Sequence, residues 1–301
     1  MLTKSLITVL LLLNPLLLQA SPGCGSDGVW LQILGSGGPE IDDGRASSGY
    51  LLWYKGRARI LIDMGTGSLL RFEQSGAALN DLDVLLMSHF HVDHSNDLPG
   101  LIKASYFTDR NRDLVLYGPT GNRLMPAATQ FVQSLFGSDG AFKYLNSYLN
   151  GSDSYLLIPH DVQAAGKTVQ VVMTTPYQIS AVPVHHGPVP SLAWRVVLAG
   201  KTIVFSGDMN NDNDSLAGLA KDADLLVAHH AIPEDAGRIA RNLHMPPSVI
   251  GQIAARAQVK QLVLSHRMNR TFGRETESTA LIRLSYSGPL TFAEDLQCYR
   301  P

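Results

Sequence analysis

The chain has 301 residues, 45% of them hydrophobic and 17% charged, with a formal net charge of −2 at pH 7. That length supports a full core, as one large α/β domain or two small ones, in an ordinary globular balance. Without a basic excess or a Lys/Arg run, the composition weighs against a protein that lives on polyanionic RNA or DNA, although a local patch can hide in a fold.

The first twenty residues, MLTKSLITVLLLLNPLLLQA, place one positive charge at Lys4 before an apolar run and then small residues. This pattern predicts a secretory signal peptide cleaved near Ala20 and a mature chain from 21 to 301. The run is short for a membrane span and is broken at Asn14-Pro15, so no span is expected in the mature chain. An uncleaved anchor, or a lipoprotein modified at Cys24, are the alternatives; Ser21 and Pro22 disfavour the second. The leader predicts export to a bacterial periplasm or the medium. In that oxidising setting Cys24 and Cys298 can pair and tie the two ends together, or remain as two thiols.

Beyond the leader, GVWLQILGSGG reads as a strand ending in a glycine turn, and SSGYLLWYKGRARILIDMG as a hairpin turning at Lys55-Gly56. GSLLRFEQSG fits a short helix closed by Gly76, DVLLMSH a buried strand, SNDLPGLIKASYFT a helix and LVLYGP another strand. The region from about 120 to 150 reads as a helical insertion, either a lid over a site or ordinary connecting helices. The second half repeats the strand theme in KTVQVVMTT, YQISAVPVHH, LAWRVVLAG, KTIVFSGD, ADLLVAHH and QLVLSH, with a helix at PSVIGQIAARAQV. Many strands with fewer helices predict two packed sheets with helices outside, and no low-complexity linker divides the mature chain.

The polar residues that folding does not need sit where strands stop. His89, His91, Asp93 and His94 follow DVLLM; His186 ends ISAVPVHH; Asp208 follows TIVFSG; His266 follows LVLS. In an extended segment His89 and His91 point to the same side, so both imidazoles can grip one ion. Asp93 and His94 come after the chain turns and can reach a second. Neutral imidazole and carboxylate suit zinc, and the two oxygens of Asp208 can bridge two metals. A single buried histidine is ordinarily a hydrogen-bonded core residue; the whole set, buried without a metal, would be heavily penalised.

The string HFHVDH, with the downstream histidine, FSGD and LSH, resembles the metallo-β-lactamase superfamily over residues 29 to 296. The resemblance implies an α/β fold, an αββα sandwich of two mixed β-sheets with helices on the outer faces, and a site for two metal ions, usually zinc, between the sheets. By matching position it assigns His89, His91 and His186 to one metal, Asp93, His94 and His266 to the other, and Asp208 to the bridge. The segment after His186 resembles ribonuclease Z-like members, which selects His186 over His185. Iron or manganese can occupy such nitrogen and oxygen sites in place of zinc.

GPTG, FSGD, ADLLVAHH and HMPPSVIGQIAARAQVKQLVLSHR are most similar to the ribonuclease Z and arylsulfatase-like branch. The branch implies a catalytic pair: Asp93 orients a metal-activated hydroxide, and His244 donates a proton to the leaving oxygen. Arg267 or Arg270 could contact an anionic substrate; either His229 or His230 could support the ligands; His160 receives no role. Two features depart from ribonuclease Z: the leader, and the lack of a Gly/Pro-rich basic arm for gripping transfer RNA. They turn the expected substrate toward a small phosphodiester, sulfate ester or related ester. The alternatives are a lactone or β-lactam hydrolase, or a non-catalytic metal-binding protein of the same fold. The oligomeric state stays open, a dimer included.

Overall fold

Described by a computed structural model over residues 23–164 and 166–301, the chain forms two seven-stranded sheets. The predicted leader and its cleavage site lie outside the described residues. The first sheet holds β1 (Val29–Gly35), β2 (Gly49–Tyr54), β3 (Arg57–Met64), β4 (Val84–Leu86), β5 (Leu114–Pro119) and β6 (Leu157–Val162). They lie in that order, with β14 (Cys298–Tyr299) outside β1. The second runs, in spatial order, from β13 (Leu290–Phe292) through β12 (Leu262–Ser265), β11 (Leu225–His229), β10 (Lys201–Phe205), β9 (Val189–Leu198) and β8 (Tyr177–His186) to β7 (Val169–Met173).

Both sheets are mixed. β1, β2 and β3 pair antiparallel, and the β2–β3 turn at Lys55 and Gly56 has both residues at positive φ, which matches the right-handed strand twist. From β3 to β6 every pair is parallel. In the second sheet β7 to β10 are antiparallel and β10 to β13 parallel. The parallel strands of each sheet end on one edge, and the loops that follow them meet there.

Helices cover the outer faces: α1 (Ser68–Gln74), α2 (Val92–Ser95), α3 (Leu98–Ser105), α4 (Ala128–Phe136) and α5 (Ser147–Asn150) belong to the first half. The second half supplies α6 (Leu216–Leu219), α7 (Arg238–Arg241), α8 (Pro247–Arg256) and α9 (Glu275–Arg283). Alternation along the strands divides the apolar residues into three layers. Between the sheets Leu31, Tyr50, Ile60 and Ile62 meet Leu192, Trp194, Phe205 and Val227. Leu61, Leu85 and Leu116 turn outward onto Leu98, Leu101 and Val132 of the helices. Val204, Leu226 and Leu264 do the same onto Ile250, Ile253 and Ile282. This is the expected αββα sandwich.

Some elements escaped the sequence reading. β6 carries Pro159, His160 and Asp161, which hides its strand pattern; proline is tolerated there because β6 is an edge strand. His160 therefore lies on a strand, its ring stacked on Tyr117 at 5.1 Å. Cys24 and Cys298 form a disulfide with their Cα atoms 5.5 Å apart, which also occupies the sulfur that lipidation would need.

Trp194 couples the core to the site. It is fully buried on β9, and its indole N–H donates to the carbonyl of Met87 at 3.2 Å, two residues before His89. Trp194→Ala should destabilise the fold by about 3–5 kcal/mol through the cavity and the stranded carbonyl. A lower urea midpoint at unchanged slope would show this, and a midpoint equal to the parent's would contradict it.

Candidate metal centre

The segment from His89 to His94 connects β4 to α2. His91 is the residue before α2, in extended conformation, so the chain turns immediately after the second imidazole. His89 Nε2 and His91 Nδ1 lie 3.0 Å apart, as the two-residue repeat requires. His186, at the end of β8, brings its Nε2 to 3.4 Å from the same His91 nitrogen. His185, the other residue of that pair, turns away toward Asp212 and is 40% exposed. Asp208 follows β10 and faces the cluster: its Oδ2 lies 3.6 Å from His186 Nε2 and 3.9 Å from His89 Nε2.

A second cluster adjoins the first. Asp208 Oδ2 is 3.6 Å from His94 Nε2, and Asp208 Oδ1 is 3.3 Å from His266 Nε2. Asp93 Oδ2 reaches the same two nitrogens, at 3.5 Å for His94 and 3.2 Å for His266. All of the seven side chains picked from the sequence for metal binding thus converge, with Asp208 between two groups of imidazoles. Except for the half-buried His91, they are buried.

Glycine makes the close approach possible: a Cβ on Gly65 would stand 2.1 Å from the backbone oxygen of Asp93. No other residue lets the loop after β3 lie against the Asp93 turn.

Supporting residues hold several imidazoles by their remote nitrogens. Asp63, at the end of β3, accepts from His94 Nδ1 at 2.8 Å, from Ser88 Oγ at 2.7 Å and from the Ser88 backbone N–H at 2.7 Å. His186 Nδ1 donates to the Leu243 carbonyl at 2.9 Å. His229, at the end of β11, donates from Nδ1 to Asp208 Oδ1 at 2.7 Å. The sequence had pointed to His229 or His230 as support; His230 instead faces Ser278. Asp63 was missed. Its only signal was an acid closing the apolar strand RILIDM, and its left-handed φ of 54° marks a backbone held by its surroundings.

The charges explain one another. Burial would push His94 and His266 down, but the carboxylates of Asp93 and Asp208, with Asp63 beside His94, hold both above the usual imidazole range. Burial likewise opposes ionisation of Asp208 and Asp93, yet the facing imidazoles keep both acids well below the carboxylate range. His89 and His91 are pushed down, first by burial and then by neighbouring imidazoles.

These donors fit a cation. His186 Nδ1 faces a carbonyl, which only accepts, so its Nε2 presents a lone pair to the cluster. His94 Nε2, which faces Asp93 and Asp208, is buried without a hydrogen-bond partner. A divalent ion would supply at one point the positive charge that otherwise sits as protons on His94 and His266. The ligand atoms of His89, His91, His186 and Asp208 lie within 4.8 Å of one another, as do those of His94, Asp208, His229 and His266.

His244 stands beside this centre, buried, with Nδ1 3.9 Å from Asp208 Oδ1 and no hydrogen-bond partner on that atom. Burial pushes its pKa down to about 3. Arg267 is not free for a substrate: it is buried, stacked on Phe272 and Phe292 and paired with Glu275. Arg270 remains partly exposed on the wall of a cavity of about 540 Å³ that it shares with Arg238, Ile239 and Leu243.

Residues 58–267 match the family described as the Beta-lactamase superfamily domain. The chain is 25% identical over 268 residues to ribonuclease Z of Clostridioides difficile, covering 78% of this chain and 87% of that one. Among solved structures it resembles the metallo-β-lactamase fold protein YhfI from Bacillus subtilis, with a TM-score of 0.72, 21% identity and coverage of 91% and 99%. It also resembles human tRNase Z, short form, with a TM-score of 0.69, 20% identity and coverage of 90% and 98%. These findings correct two expectations. Overall charge had weighed against nucleic acid, but relatives that align over most of the chain are ribonucleases. Global charge is blind to a local surface, which is where such a partner binds. Export to a periplasm or the medium is not upheld either. It rested on a leader outside the described residues, and it set the chain apart from the ribonucleases that it matches. Among the described residues no helix is long and apolar enough to cross a membrane.

Proposed function

The chain belongs to the β-lactamase superfamily, in its ribonuclease Z branch, and is a metal-dependent hydrolase; on that premise we propose that it cleaves phosphodiester bonds of RNA with two zinc ions. One observation carries this reading: Asp208 stands between two sets of imidazoles, its oxygens 3.6 Å from His94 and His186 and 3.3 Å from His266. His89, His91 and His186 would hold one ion, Asp93, His94 and His266 the other, and Asp208 both. Divalent ions bound there supply Lewis-acid chemistry, acidifying water and neutralising charge that builds on a phosphoryl oxygen.

The chain's own groups do the rest. Asp93, with one oxygen toward His94 and His266, orients the attacking water through the other. His244 gives a proton to the departing oxygen. A neutral, desolvated imidazole takes up that proton when a phosphate anion is placed beside it, because the anion raises its pKa. Arg270 and Arg238, on the wall beyond Leu243, offer positive charge to the flanking phosphates.

The test uses the purified chain loaded with zinc, stripped with a chelator and reloaded. A transfer-RNA precursor and bis-p-nitrophenyl phosphate are the two probes. Cleavage of both is expected with metal, none after chelation, and recovery on reloading. Zinc-loaded protein that hydrolyses the small diester and leaves RNA intact would move the substrate class to small esters. Protein that binds two ions and cleaves neither would be a metal-binding protein without hydrolase activity toward either.

A further inference from the structure

We propose that Asp295 is a positioning residue for the second metal site: through Ser36 it anchors the loop after β1 as a clasp that fixes the backbone and ring of His266. The inference rests on the reading that gives His266 to one of two ions. His266 leaves β12 with a φ of 52°, in the left-handed region that a residue with a Cβ rarely adopts. Such a conformation persists where its surroundings impose it. Here the imposing contacts come from the other half of the sandwich. The Arg267 N–H, which belongs to the peptide after His266, donates to the Ser36 carbonyl at 2.9 Å, and the Gly38 N–H donates to the Arg267 carbonyl at 3.1 Å. Gly38 also lies against the imidazole: a Cβ there would stand 3.0 Å from His266 Cε1 and 3.1 Å from Met268 Cγ.

The clasp needs an anchor of its own, because Ser36 and Gly38 lie beyond the end of β1. Asp295 supplies it from the segment between β13 and β14, where the chain passes from the second sheet to the first. Its Oδ1 accepts from the Ser36 N–H at 3.0 Å and from Ser36 Oγ at 2.8 Å. Its Oδ2 accepts from the Ala46 N–H at 2.9 Å and from Arg71 Nε at 3.0 Å. One carboxylate thus spends both oxygens on donors and closes the loop at its two ends, Ser36 and Ala46. Hydrogen bonds to an ionised acceptor are the stronger kind.

The path from this acid to the site is short. Asp295 holds Ser36, Ser36 holds the peptide between His266 and Arg267, and His266 Nε2 faces Asp93 at 3.2 Å and Asp208 at 3.3 Å. The first site is built from other segments: His89 and His91 precede α2, and His186 ends β8. Loosening the clasp therefore reaches one site and spares the other. Metal–ligand distances hold to within about 0.2 Å, so a small drift of the His266 ring is enough to weaken one ion.

Asp295→Ala tests this without substrate. In metal-free protein, hydrogen exchange should find the Arg267 amide protected in the parent and exchanging about tenfold faster in the variant, with the amides of β11 unchanged. Chelator competition should find one zinc bound about 10–100-fold more weakly and the other within about twofold of the parent. In the variant holding a single zinc, the ring signals of His89 and His186 should shift with the metal and those of His266 should stay. Gly38→Ala, which leaves Asp295 in place and presses on the ring, should weaken the same ion. Unchanged affinity for both ions in folded Asp295→Ala overturns the proposal, as does a Gly38→Ala protein that binds both ions like the parent. Equal weakening of both ions also overturns it and makes Asp295 a general stabiliser of the fold. If Asp295→Ala does not fold, Asp295→Asn, of the same shape with one acceptor oxygen fewer, is measured in its place with the same split expected. A parent chain that binds no pair of ions would sink the reading of the metal centre, and the exchange of the Arg267 amide would still show whether Asp295 holds the clasp.

Discussion

Asp208→Ala is expected to release metal and abolish hydrolysis while the fold persists. Its carboxylate touches four candidate ligands, with Oδ2 3.6 Å from His94 and His186, 3.9 Å from His89, and Oδ1 3.3 Å from His266. Loss of a residue that merely supports a metal ligand costs about 10–100-fold in affinity, and loss of a carboxylate that faces both sets of ligands should cost more. The loss should be shared between both ions, because one acid serves both sets. The sandwich itself does not depend on Asp208, since the three apolar layers close without it. Elemental analysis of dialysed protein, with circular dichroism as the control for folding, measures the effect. A folded variant that retains two ions and full activity would remove Asp208 from the centre.

His244→Ala should separate chemistry from metal binding. His244 reaches the centre from the segment between α7 and α8, and its ring lies 5.3 Å from His186 and 5.8 Å from His266 between centroids. Its imidazole makes no hydrogen bond that a ligand needs, so both ions should stay. A proton donor to the leaving oxygen typically contributes about 10²–10⁴-fold to kcat. The loss should therefore be large for RNA, whose leaving oxygen is basic, and small for bis-p-nitrophenyl phosphate, whose phenolate leaves unaided. Equal losses on the two substrates, or a parallel loss of zinc, would assign His244 a structural part. Because burial holds its pKa near 3, the free protein should show no titration of His244 around neutrality.

The residues of the site were legible because each stands where an apolar strand ends. Costly side chains such as His89, Asp208 and His266 follow Leu86, Phe205 and Ser265 by one to three residues. Alternation along an extended segment placed His89 and His91 together before any coordinates existed. The partners of those residues were not legible. Asp63 lies 31 positions from His94 and Tyr50 lies 179 from His229, and neither spacing follows from local periodicity. β6 was invisible because an edge strand accepts proline and charge, which blurs the pattern of alternation.

The amino-acid sequence by itself determined the two-sheet architecture, because hydrophobic periodicity and residue spacing are local properties of the chain; the candidate ligand set and the choice of His186 over His185 came from its resemblance to a known family. Tertiary structure alone decided that Arg267 is locked in a stack of phenylalanines, that Cys24 meets Cys298, and that a tyrosine on one sheet holds a histidine on the other. Those contacts depend on how the two sheets face each other. That is fixed by the summed burial of three apolar layers, to which no short stretch of residues holds the key.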